Sequence, residues 1–128
     1  MINLKFDDEN RILTIEMAGM ISEADVDATM DALAARYPQV GVRLRGGEHG
    51  GFKILADWEK LEGWEKGAKT AGTMMNKLIG DAVRKAAVIA DAKWSDEQQR
   101  LADVAKQAQV RFFLPEERNK AQAWLIAP

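Results

Sequence analysis

The run KAAVIAD, Lys85 to Asp91, decides how this chain must fold. From Ala86 to Ala90 it is an unbroken series of small and β-branched apolar residues. A strand with one wet face alternates apolar and polar side chains, whereas a parallel strand covered on both faces does not. KAAVIAD therefore reads as an inner strand of a parallel sheet, and parallel neighbours require long crossovers, usually helical. The flanking segments offer them. Upstream, after Gly63, Ala68, Ala71, Gly72, Met75 and Leu78 form one helical stripe. Downstream, Ser95 is an N-cap with Gln98 three residues on, and Leu101, Val104 and Ala108 continue a third helix.

Further outward, FKILADW is a strand on one side and QVRFFL a strand on the other. Ile2, Leu4 and Phe6 alternate with polar residues, DDEN turns the chain, and RILTIEM completes an antiparallel hairpin. S-E-A-D at Ser22 is a capping-box start for a first helix carrying Val26, Met30, Leu33 and Tyr37, which Pro38 follows. VGVRLRGGEHGG is a glycine-rich loop with a short strand at Val42–Leu44. Pro115 lies in the first turn of a closing helix, with Glu116 and Glu117 beside its amino end. Ala121, Trp124 and Leu125 of that helix point inward. The order β-β-α-β-α-β-α-β-α is an α/β fold: one domain, residues 1–128, with a mixed, mostly parallel sheet and right-handed crossovers.

Composition narrows the function. With 128 residues, 47% apolar and 30% charged, the chain suits a globular domain with its own core. Its 18 basic and 20 acidic residues are interspersed, unlike the basic stripe of a nucleic-acid binder. Without cysteine there is no disulfide, thiolate metal site or Cys nucleophile. MINLKFDDEN does not read as a signal peptide, and no apolar run approaches the roughly 20 residues of a membrane span. A cytoplasmic protein is the expectation.

The stretch ILADWEKLEGW, Ile54–Trp64, concentrates what chemistry there is. Asp57 and Glu59 stand where a strand is expected to turn, at the end of an open α/β sheet where ligands bind. They suit either a general acid–base pair or the capping of a turn. Partners for catalysis are scarce. Ser22 and Ser95 are the only serines and both cap helices, and His49 is the only histidine. No Ser-His-Asp triad, metal motif or cofactor fingerprint emerges, and RGGEHGGF around His49 matches no phosphate loop. Trp58, Trp64, Trp94 and Trp124 each fall near the end of an element. They serve either as core or, with Met74 and Met75, as an apolar pocket or adaptable contact surface. Lys66, Lys69 and Lys77 read as a solvated helix face.

Three segments, GFKILADWEKLEGW, VRKAAVIADAKW and VRFFLPEERNKAQAWL, taken in that order, resemble the bacterial SpoIIAA-like proteins of the STAS type. These are small domains related in fold to anti-sigma-factor antagonists and to CRAL-TRIO lipid-binding domains. The Gly63–Trp64 pair opening the second helix, Val88–Asp91 followed by Trp94, and Ala123-Trp124-Leu125 carry the likeness. The resemblance implies a sheet with helices packed against it and does not imply one activity. In the antagonists an Asp after the third strand precedes by two residues a Ser that a partner kinase phosphorylates. Asp57 fits that Asp, but position 59 is Glu, which leaves Thr70 and Thr73 as substitutes for a phosphorylation switch.

Together these readings give a non-catalytic domain with no cofactor and no metal. One expectation is a site for a small apolar or amphipathic ligand, such as a lipid, at Trp58, Trp64, Met74 and Met75. The other is a protein-interaction module of a regulatory pathway, its partner surface at Asp57, Glu59, Lys66 and Lys69. A homodimer is compatible with either.

Overall fold

The computed structural model describes residues 1–7, 9–36, 52–68, 83–94, 96, 97, 99 and 109–127. Five strands form one sheet whose spatial order follows the chain: β1 (Ile2–Asp7), β2 (Ile12–Ile21), β3 (Phe52–Trp64), β4 (Val83–Ile89) and β5 (Gln109–Phe113). β1 and β2 make the expected antiparallel hairpin, with Leu4 opposite Ile15. β2–β3, β3–β4 and β4–β5 are all parallel. Among the described residues two helices pack on this sheet, α1 (Glu23–Arg36) and α2 (Arg118–Ile126).

Strand alternation divides the core in two. On one face Leu13, Ile15, Met17, Ile54, Trp58 and Val88 meet Val26 and Leu33 of α1. On the other, Ile12, Leu55, Ala87, Ile89 and Phe113 meet Ala121 and Leu125 of α2. β4 contributes to both clusters, Val88 to one and Ala87 and Ile89 to the other, and Ala90 directly after it joins the first, as the unbroken apolar run requires. At about 25 cal/mol per Å² of apolar surface, burying each Val, Leu or Ile among them is worth about 1.5–3 kcal/mol.

Helix starts follow local chemistry. Ser22 Oγ accepts the Asp25 N–H at 3.1 Å while the Asp25 carboxylate accepts the Ser22 N–H at 2.9 Å. This reciprocal box satisfies two groups that the first turn leaves open. At the closing helix, Pro115–Glu117 form a separate 3-10 turn before α2 begins at Arg118. Leu114 N–H donates to Glu117 Oε1 at 2.9 Å there.

Two expectations change. No turn falls at Asp57–Glu59, and Gly63–Trp64 does not open a helix: β3 is a single strand of 13 residues through Trp64. The cause is its partner. β4 pairs with β3 only as far as Asp57 opposite Ile89, but β2 continues to offer backbone groups up to Ile21 opposite Trp64. Where β4 ends, the β2–β3 register shifts, and Glu59 and Lys60 are exposed in succession. Such a shift is a bulge that re-aims side chains without ending the strand. A second shift follows Gly19, whose φ of +68° favours glycine. After the turn at Lys66–Gly67, Ala68 is the first helical residue. The stripe from Ala71 to Leu78, the Val42–Leu44 strand, the loop around His49 and the N-cap at Ser95 lie outside the described residues.

Candidate functional site

Asp57 and Trp58 are neighbours in a strand, so their side chains leave opposite faces of the sheet. The acids and tryptophans of ILADWEKLEGW therefore form two separate groups.

On the face that carries α2, Asp57 is buried at 7% exposure, which obliges it to find partners. Asp57 Oδ2 accepts Arg118 Nη1 at 2.7 Å, and Oδ1 accepts the Glu59 backbone N–H at 3.0 Å. The same Arg118 nitrogen reaches Glu59 Oε2 at 3.1 Å. α2 supplies this arginine from its first residue, so the ion triad anchors the helix to β3. The hydrogen bond to Asp57 raises the Arg118 pKa, with burial opposing it. Glu59 is raised above the ordinary glutamate value by burial first and by repulsion from Asp57 second, while Arg118 pulls it down. A general base needs a lone pair aimed at its substrate. Both Asp57 oxygens instead serve groups of the protein, and the pair reads as an anchor. Glu16, half-buried opposite Asp57 on β2, is paired with Lys5 at 2.9 Å.

On the face that carries α1, three tryptophans meet. Trp58 contacts Trp64 at 5.6 Å and Trp94 at 6.2 Å between ring centroids, and Trp64 contacts Trp94 at 5.4 Å. The interplanar angles are 82°, 77° and 79°, so every pair is edge-to-face, the arrangement ring quadrupoles favour. Trp58 is buried in the core, and Trp64 and Trp94 are half-buried against it. Trp64 ends β3, and Trp94 closes the 3-10 turn Ala92–Trp94 that follows β4, held by its N–H to Asp91 O at 3.1 Å. Parallel strands bring their carboxyl ends together, and that puts these two rings side by side. The Trp94 Nε1 atom is shielded from solvent and has no hydrogen-bond partner among the described residues. Lys93 Nζ stands 5.4 Å from the centre of the Trp94 ring.

Of the expected ligand residues, the structure thus unites Trp58 and Trp64, while Met74 and Met75 lie outside the described residues. Of the expected partner surface, Asp57 and Glu59 are joined. Lys66 stands exposed in the turn after β3, and Lys69 lies outside the described residues. Sequence reasoning missed Arg118 altogether, since nothing local links it to an aspartate 61 residues away. It counted Trp94 among element ends without placing it beside Trp58 and Trp64. A signal was available, because Trp64 ends β3 and Trp94 follows β4, its parallel neighbour. Trp124 belongs elsewhere, packed on Phe113 at 6.1 Å on the α2 face. Among the described residues no group of three or more His, Cys, Asp or Glu is placed to hold a metal. Nor is any described helix long and apolar enough to cross a membrane.

Comparison with known proteins agrees with this architecture. No curated protein matches the chain. An uncharacterised protein of SpoIIAA-like fold from Shewanella loihica superposes with a TM-score of 0.74 at 18% identity, covering 98% of this chain and 92% of that one. The anti-sigma-factor antagonist SpoIIAA in its unphosphorylated form gives 0.51 at 12% identity, covering 96% and 98%. At such identities these likenesses speak to fold alone. Residues 12–126, from the first residue of β2 to the last of α2, match the SpoIIAA-like family model. The chain belongs to the SpoIIAA-like family.

Proposed function

We propose that the protein is a non-catalytic cytoplasmic module that binds a small amphipathic molecule against Trp64 and Trp94. The observation that carries this reading is the position of the tryptophan cluster. Two half-buried indoles stand side by side at the carboxyl ends of parallel strands, the place where open α/β sheets receive ligands. Apolar walls with few polar groups are the usual make-up of such sites. Trp58 is the floor beneath them, since it is buried in the core.

Displacement of a neutral apolar dye, followed by tryptophan emission, tests the reading. The wild type is expected to bind the dye, and Trp64→Ala with Trp94→Ala to abolish binding while the fold persists by circular dichroism. Native mass spectrometry of protein purified from its own host should show an added organic mass. A clean protein mass together with no dye binding would end the proposal.

A second reading, a protein-interaction module of a regulatory pathway, is favoured by Glu59. Its half-exposed carboxylate stands two residues after Asp57, on a fold shared with an anti-sigma-factor antagonist. In that reading Glu59, whose carboxylate needs no kinase to supply a negative charge, belongs to the contact surface. A pull-down in which Glu59→Lys retains every partner removes that surface from consideration.

A further inference from the structure

β5 is the last strand of the sheet and among the described residues pairs on one side only, with β4. Phe113 O accepts the Ala90 N–H at 3.0 Å, so Phe113 and, two residues earlier, Arg111 turn their backbone groups toward β4. Val110 and Phe112 alternate with them and turn theirs outward, past the end of the sheet. The Arg111 side chain stands on the face that carries α2, its Cζ 5.3 Å from the Phe113 ring centre and 5.8 Å from that of Trp124. Stacking holds a guanidinium by its face and leaves the N–H fork at its rim available. This exposed arginine has no carboxylate or hydrogen-bond partner among the described residues. On the opposite face, half-buried Val110 and Phe112 lead to Leu114, which is 43% exposed.

We propose that this edge receives an extended acidic segment of a partner protein as a sixth strand. Main-chain hydrogen bonds to Val110 and Phe112 hold the segment, and its alternate side chains set the choice of partner. The residue opposite Arg111 is a Glu or Asp, whose carboxylate matches the planar guanidinium fork. Its two neighbours face Val110, Phe112 and Leu114 and are apolar. Charge argues against a second copy as the occupant. An antiparallel pair of β5 strands centred on Arg111 sets two guanidiniums opposite one another, and like charges there are unfavourable. The arginine that admits an acidic strand thus turns away its own kind, as charges on exposed edges commonly do. β4 separates this surface from Glu59 and β3, and the proposal stands independently of any ligand at Trp64 and Trp94.

The test uses three blocked peptides, Thr-Val-Xaa-Val-Thr with Glu, Gln or Lys at the centre, titrated into the whole isotope-labelled protein and followed by NMR. The Glu peptide is expected to shift the amide resonances of Val110 and Phe112 and slow their exchange, leaving those of Arg111 and Phe113, already turned to β4, protected as before. It should bind about five-fold more tightly than the Gln peptide, the range of a partly exposed ion pair, and the Lys peptide more weakly than either. Arg111→Gln, at an exposed position, should erase the preference for Glu over Gln, while Arg111→Lys, which keeps the charge and loses the fork, should retain part of it. Equal binding of the three peptides, or a preference that survives Arg111→Gln, overturns the acidic partner. Failure of every peptide to move Val110 and Phe112 overturns the edge as a docking site. A wild type that sediments as a dimer, with those two amides protected before any peptide is added, makes a second copy the occupant and overturns the proposal as well.

Discussion

Arg118 Nη1 lies 2.7 Å from Asp57 Oδ2, joining residues 61 apart in the chain. One guanidinium thereby fixes the first turn of α2 to the middle of β3, and Glu59 shares it. Asp57 depends on this partner more than Arg118 does, because the carboxylate is nearly buried and the guanidinium is more than a third exposed. Removing one member of such a pair leaves an uncompensated charge away from water.

Arg118→Ala is therefore expected to lower stability by about 1–2 kcal/mol, the range of a hydrogen bond to a charged group reduced for solvent screening. Asp57→Asn made alongside should restore part of the loss, since no buried charge then remains. Urea titration of both single variants and the double variant measures the coupling. Strictly additive losses would show that the two groups do not depend on one another.

Glu59 gives a pH dependence with a definite sign. Its folded pKa is raised, so its contribution to stability is fully present below the unfolded value and lost as pH rises through the folded one. Glu59→Gln stays neutral throughout, so its stability relative to wild type should increase from acidic to neutral pH. Thermal melts at the two ends of that window check it. A carboxyl titration by NMR should also find Glu59 shifted still further upward in Arg118→Ala, because Arg118 is what pulls it down.

Lys85 closes the other end of α2. It is buried at 5% exposure, and its Nζ donates to Trp124 O at 2.9 Å and Ala127 O at 2.8 Å while lying 5.1 Å from the Trp124 ring centre. Carbonyls at a helix end lack partners within the helix and favour a cation. Lys85→Met retains most of the volume and removes the donors. Amides in the last turn of α2 are expected to exchange with solvent several-fold faster, with a stability loss of about 1–2 kcal/mol. Unchanged exchange at those amides would mean that packing of Ala121 and Leu125 holds that end of the helix without Lys85.

The tryptophan cluster separates into floor and wall. Trp58→Ala should cost about 3–5 kcal/mol, as for other buried aromatic truncations. Trp64→Leu and Trp94→Leu, at half-buried positions, should cost less, with a coupling of about 0.5–1.5 kcal/mol between them from their edge-to-face contact. Denaturant titrations through the double-mutant cycle, with near-ultraviolet circular dichroism reporting the rings, measure both.

The sequence by itself determined the succession of strands along the chain, the parallel pairing and the two-faced core. Those follow from patterns a few residues long: the unbroken KAAVIAD run, the alternation of Ile2 and Leu4, and the Ser22–Asp25 box. Local sterics and solvent exclusion act on neighbours in the chain, and so they can be read there. Only the tertiary structure decided where β3 stops, because the backbone groups that carry it to Trp64 belong to β2. It also decided that Arg118 completes the acids. Each depends on groups brought close by the sheet from distant parts of the chain. An ion pair depends on distance in space, and spacing along the chain carries no record of it.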